Sequence, residues 1–178
     1  MTINDFITDK IKIESSEYVK INNGNGSAVE ASIATWYKAN LKTSKLPLLP
    51  TTCEVDGSHK TAGELAETFD ETGDIKYYNH KNECINIDLN RLNQQIRFIS
   101  DDSNFLFNNP ITVREITDDN IIEDPSLSKY SLFIEEGKHR STAICYLLRT
   151  GKFKEAKIPI VFARAKDDLI TRTGVREL

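Results

Sequence analysis

The spacing of apolar residues changes period several times along the chain, and each change marks an element. Residues 130–134 are apolar in the manner of a strand. Residues 143–148 follow with Ala143, Ile144, Leu147 and Leu148 at helical spacing, and Gly151 supplies a stop. Between the two stands Glu135-Glu136-Gly137-Lys138-His139-Arg140-Ser141-Thr142. A glycine at such a junction lets the chain turn sharply where a side chain would intrude. Residues 111–116 and 158–163 read as two further strands, with an acidic, proline-containing connection over 117–127.

Upstream, Ile85, Ile87 and Leu89 alternate as a half-buried strand over 84–89, with a partner over 75–78 around Asn79-His80-Lys81-Asn82. Thr61 and Glu64 form a capping box that opens a helix with Leu65 and Phe69 inward, and a Gly-containing turn at 70–74 ends it. Ser27 and Glu30 form another, predicting a helix over 27–41 with Val29, Ile33, Trp36, Tyr37 and Leu41 on one face. Trp36 reads there as core. Leu46-Pro47-Leu48-Leu49-Pro50 reads as an extended connection, because two prolines bracket it. Residues 1–23 alternate loosely, as one short strand before the turn cluster at 22–26. Residues 90–98 read as a short helix or turn, and 165–178 as a short helix with Arg172 and Arg176 one turn apart. The sum is an α/β (α+β) fold, a small mixed β-sheet flanked by helices, in a single domain over 1–178.

Composition narrows the class. The 178 residues can enclose one proper core, and 39% hydrophobic with 28% charged residues reads as globular rather than disordered. No apolar run approaches the ~20 residues of a membrane span, and residues 1–12 lack the apolar core of a signal peptide. The expectation is a cytoplasmic protein without a membrane partner. Cys53, Cys84 and Cys145 are odd in number and widely spaced, which suggests neither a disulfide framework nor a zinc site. His59, His80 and His139 show no ligand spacing, so no protein-only metal cage is expected.

Net charge is −4 but unevenly spread. Residues 137–178 carry 10 Lys+Arg against 4 Asp+Glu, a net of +6, whereas residues 1–136 carry 13 against 23, a net of −10. The basic third contains the junction. An anionic ligand fits there, while the acidic remainder argues against a broad nucleic-acid coat and offers a surface for a protein partner.

The junction has its own chemistry. A helix start presents unpaired N–H groups and the positive end of the dipole, and Lys138, His139 and Arg140 stand beside them. Arg140 can clamp two phosphate oxygens, and Lys138 adds a mobile charge. His139 can donate a hydrogen bond or move a proton near neutral pH. Ser141 and Thr142 can add hydroxyl donors. Strand alternation would point Glu135 and Glu136 to opposite faces, one of them free to hold Mg²⁺ or polarise water. The plainer readings are an Arg140–Glu136 pair, a packed histidine, and hydroxyls bonded locally.

Glu136-Gly137-Lys138-His139-Arg140, with Ala143 and Leu147 after it, resembles the signature of the ParB/sulfiredoxin superfamily. Asn109-Pro110-Ile111-Thr112-Val113 resembles that family's preceding strand, and Lys157-Ile158-Pro159-Ile160-Val161 its following one. The resemblance implies a core over 84–165, with 1–83 as an N-terminal elaboration. It implies binding of ATP or CTP with Mg²⁺ through Gly137, Lys138, His139, Arg140, Ser141 and Thr142, with Glu136 and His139 catalytic. The activity implied is nucleoside-triphosphate binding with weak NTPase action, extending to DNA nicking, in a protein of a plasmid or other mobile element. The alternatives are a non-catalytic interaction or inhibitor protein, for example of conjugative transfer, and a small-molecule kinase of the free-serine type. Lys138 stands where sulfiredoxins have cysteine, which excludes their thiol chemistry. His139 stands where ParB partition proteins have a second arginine, and no helix-turn-helix pattern follows. Asn90-x-x-Asn93-Gln94-Gln95-x-Arg97 echoes the family's first box, which would give Arg97 a phosphate role.

Overall fold

The computed structural model describes residues 2–14, 17 and 34–165. A short helix α1 (Ile3–Phe6) leads into β1 (Ile7–Ile13); β2 is Ala34–Lys42, and a 3-10 turn, Thr43–Leu48, leads to the hairpin β3 (Pro50–Val55) and β4 (Ser58–Thr61). Helix α2 (Ala62–Thr72) precedes the small hairpin β5 (Lys76–Tyr78) and β6 (Cys84–Asn86). Helices α3 (Leu89–Asp101) and α4 (Phe105–Asn108) lead to β7 (Ile111–Glu115). Helix α5 (Asp118–Glu123) and a 3-10 turn, Pro125–Lys129, connect to β8 (Leu132–Glu136), α6 (Lys138–Arg149) and β9 (Lys157–Ala165).

Five strands form one mixed sheet in the order β1-β2-β9-β7-β8. Only the β9–β7 pair is parallel. Helix α6 packs against both α2 and α3, and its Ile144 and Leu147 join Leu65, Leu92, Ile134 and Phe162 in one buried cluster. Each such fully buried aliphatic side chain contributes roughly 1.5–3 kcal/mol relative to exposure. Strand alternation sends Ile13, Trp36, Val161 and Ala163 into a second, smaller cluster. The mixed sheet flanked by helices expected from the sequence is therefore present.

Local chemistry accounts for the element ends. Thr61 caps α2 through a capping box with Glu64, and Gly73 closes it in the left-handed region at φ 72°. Asp88 accepts a hydrogen bond from the Arg91 N–H and starts α3. Asn79 accepts from the N–H groups of Lys81 and Glu83 and so shapes the β5–β6 turn. Among the described residues no helix is long and apolar enough to cross a membrane.

Several expectations need correction. The predicted helix over 27–41 is a strand from Ala34 onward; the capping box at 27–30 and the turn cluster at 22–26 lie outside the described residues. Of the predicted stripe, Tyr37 and Leu41 share one sheet face with Ala39, Trp36 faces the smaller cluster on the other, and Val29 and Ile33 lie outside the described residues. Residues 46–50 do not run extended throughout, since Pro47 sits inside the 3-10 turn. The strand predicted over 84–89 ends at Asn86, because the Asp88 cap starts a helix there. The acidic connection after β7 contains α5, begun by a capping box between Thr117 and Asn120. Of the helix predicted over 165–178, Ala165 closes β9, and the rest lies outside the described residues.

Candidate functional site

The junction 135–142 is where β8 gives way to α6. Gly137 caps α6 with φ 95° and ψ 30°. A Cβ there would lie 2.7 Å from Ile111 Cγ2 on β7, so glycine is required twice, by backbone sign and by contact. The first α6 hydrogen bond runs from the Ser141 N–H to the Gly137 carbonyl at 2.8 Å. The N–H groups of the preceding turn are the ones a helix start leaves without intrahelical partners, and Gly137 has no side chain to cap them.

Beside this start lies a hollow of about 220 Å³ lined by Thr52, Arg91, Gln95 and residues 135–140. Both glutamates line it, although strict alternation would separate them. The reason is a bulge: Thr112 faces Glu136 and Val113 faces Ile134, which leaves Glu135 as the extra residue on β8. Glu135 pairs with Arg114, whose guanidinium also lies 5.1 Å from the Phe133 ring centroid. Glu136 is exposed at the lip. Arg91, Lys138 and Arg140 thus face one glutamate that lacks an ion-pair partner among the described residues.

The individual side chains differ from simple expectation. Arg140 is held by the protein: its Nη1 donates to the Pro110 carbonyl at 2.7 Å and its Nε to Gln95 Oε1 at 3.3 Å. Its guanidinium also sits 5.9 Å from the Phe105 ring centroid. Burial and the neighbouring Arg91 push its pKa down, opposed by Glu136, but an arginine remains charged under such shifts. Arg140 therefore fixes the α6 start against β7 and α3 and supplies charge, with part of its hydrogen-bonding capacity already used.

His139 is pushed down to about 4, first by burial and then by Arg91 and Lys138, with Asp88 opposing. Its Nε2 is buried and has no hydrogen-bond partner among the described residues. The ring is neutral at pH 7, so it does not exchange protons near neutrality in the free protein, contrary to the sequence expectation. Ser141 and Thr142 are fully buried, and both hydroxyls donate back to the Lys138 carbonyl at 3.0 and 2.8 Å. They lock the first turn rather than line the hollow. Arg97 is exposed and pairs with Asp101, and it is not among the residues around the junction.

Arg91 and Thr52 are the lining residues that sequence reasoning missed, and Gln95 entered it only within the echo of the family's first box. Leu89, Leu92, Ile96 and Ile99 recur at helical spacing behind Asp88, and that signal would have placed Arg91 and Gln95 one turn apart on one helix. Reading Leu89 as the end of a strand, and 90–98 as a short helix or turn, left that helix shorter than it is. Thr52 carried no local signal, because the β3–β4 hairpin reaches the site only through tertiary packing.

The other histidines lie elsewhere. His59 Nδ1 contacts the Thr51 carbonyl at 2.8 Å and its Nε2 contacts Asp124 at 2.7 Å, while the ring meets Phe133 edge-on. It braces the β3–β4 hairpin against the segment after β7. His80 meets Asp56 at the surface. Cys53 and Cys145 are buried, and burial raises both thiols; Cys84 is exposed. Among the described residues no group of three or more His, Cys, Asp or Glu is placed to hold a metal ion.

Comparison with protein-family models, with curated proteins and with solved structures finds no match for this chain.

Proposed function

We propose that this chain binds a nucleoside triphosphate, ATP or CTP with its Mg²⁺, by its phosphates at the start of α6, and hydrolyses it slowly. The observation that supports this reading most is the hollow in front of Gly137, where a free helix start meets Arg91, Lys138 and Arg140 from two helices. Backbone N–H groups aimed at one point, a helix dipole and cationic side chains are the elements a phosphate needs. The ParB/sulfiredoxin-like order of strand, glycine and basic helix start supports the same reading.

Within it, the residues have separate roles. Lys138 and Arg91 hold phosphate oxygens. Arg140 contributes long-range charge and keeps the tip in register with β7 through Pro110. Glu136 at the lip orients the attacking water or holds the metal that the nucleotide brings. His139, neutral when the site is empty, contributes its ring to the wall that the ligand meets. The same groups would serve a phosphodiester, which is how DNA nicking enters the reading; phosphate binding is the step both require.

A non-catalytic interaction protein is the second reading, favoured by the internal bonds of Arg140, which suit a structural arginine equally well. Titration calorimetry with ATP, CTP and GTP in the presence of Mg²⁺, followed by an assay for released phosphate, separates the two. Binding with slow turnover that falls in Glu136→Gln supports the first; no heat with any nucleotide supports the second.

A further inference from the structure

A second, larger hollow of about 650 Å³ adjoins the first, and the two share Lys138 and His139 as a common wall. Its other walls come from the end of the β5–β6 hairpin and the first turn of α3. Its charges balance, Asp74 and Asp88 against Lys76 and Lys138, whereas the small hollow sets three cations against two glutamates. Asn86, Asp88 and Asn90 line one side, and the Asp74–Lys76 pair, at 2.5 Å, lines another. Asp88 spends Oδ1 on the Arg91 N–H at 3.1 Å, and among the described residues its Oδ2 takes no hydrogen bond. Lys76 neutralises Asp74, and a phosphate dianion on this side is repelled by the carboxylate of Asp88. A sugar is not: vicinal hydroxyls donate to a carboxylate and exchange hydrogen bonds with amide side chains. His139 is the only ring among the lining residues, so little is offered for a base to stack on.

We infer that this hollow is the seat of a vicinal diol covalently attached to the phosphate at the α6 start, with Asp88 and Asn86 as its recognition groups. The inference rests on the nucleotide reading and adds the position and chemistry of the sugar. The small hollow, with its excess of cations, takes the phosphate end, the charge-balanced, amide-lined trough takes the hydroxyl end, and Lys138 with His139 sits at the join. Recognition is then by sugar and phosphate rather than by base. A ribonucleotide and a free sugar phosphate are the two sources of that chemistry.

The test is titration of the full chain with Mg²⁺ and four probes: ATP, 2′,3′-dideoxy-ATP, ribose 5-phosphate and pyrophosphate. It is repeated in Asp88→Asn, which keeps the cap of α3 because asparagine caps as well as aspartate, and in Asn86→Ala at an exposed position. Loss of both hydroxyls is expected to weaken ATP binding about tenfold, the equivalent of one charge-assisted hydrogen bond. Asp88→Asn should bring ATP down to the dideoxy level and leave dideoxy-ATP unchanged. Ribose 5-phosphate binding with the same Asp88 dependence identifies sugar phosphates generally as the ligand class, and its failure beside a diol-dependent ATP identifies ribonucleotides. Equal affinity for ATP and dideoxy-ATP overturns the diol seat while leaving phosphate binding intact, as does an Asp88→Asn variant that weakens both alike. No binding of any probe, pyrophosphate included, removes the nucleotide reading with it.

Discussion

Gly73 and Gly137 occupy the same left-handed backbone region, at φ 72° and 95°, but differ in what surrounds them. A Cβ on Gly73 meets nothing within 4 Å, whereas one on Gly137 meets Ile111 Cγ2 at 2.7 Å and Cβ at 3.2 Å. Gly73→Ala therefore carries only the left-handed penalty, about 1–2 kcal/mol, partly offset by the lower entropy of the unfolded chain. Gly137→Ala carries that penalty plus the cost of forcing a methyl into a filled space, about 1–3 kcal/mol more. Asparagine separates the two causes, because it tolerates the left-handed region but still has a Cβ. Gly73→Asn should recover most of the loss at its site, and Gly137→Asn should recover little. Urea unfolding of the four variants gives the numbers. Equal losses for Gly73→Ala and Gly137→Ala, or full recovery in Gly137→Asn, would refute the claim that α6 starts in contact with β7.

Other predictions follow from the side chains of the site. His139 titrates near 4 folded and near 6.5 unfolded, so between those values the unfolded chain binds more protons. Stability is then held above pH 6.5 and lost as pH falls toward 4, by about 1–2 kcal/mol for a half-buried ring; His139→Gln should flatten that part of the pH–stability curve, and an unchanged slope would count against the neutral buried ring. A bound phosphate must raise the same pKa, so nucleotide affinity should increase as pH drops from 7 to 5.5 with net proton uptake, measurable by calorimetry in buffers of different ionisation enthalpy. Arg140→Ala leaves the Pro110 carbonyl without its donor and should cost about 1–3 kcal/mol of stability. Arg91→Ala, at an exposed position, should stay within about 0.5 kcal/mol of the parent while weakening nucleotide binding, which makes it the cleaner binding variant.

The sequence disclosed those parts of the fold whose signals are local. The Thr61–Glu64 box, Gly73, the apolar strand of 132–134 and the helix from Lys138 each follow from residues within one or two turns of one another. What it hid depends on distant partners. Residues 34–42 became a strand because β1 and β9 flank them, and no neighbour in sequence says so. The bulge at Glu135 exists only in the pairing with β7, so alternation misjudged the glutamates. Gly137 was legible as a turn, but its contact with Ile111 was not. The basic helix start was likewise legible, while Arg91 and Gln95 reach it from another helix, and the Arg140 bond to Pro110 needs two distant strands to be adjacent.

The central claim is that the free N–H groups and cations at the start of α6 receive a phosphate. Backbone amide NMR of the full chain titrated with Mg²⁺–ATP or Mg²⁺–CTP addresses it at the atoms concerned. The account predicts saturable shifts at the N–H groups of Lys138, His139 and Arg140, reduced in Lys138→Ala and Arg91→Ala. Saturable binding that leaves those three signals in place, or no shift anywhere in the spectrum, would contradict it.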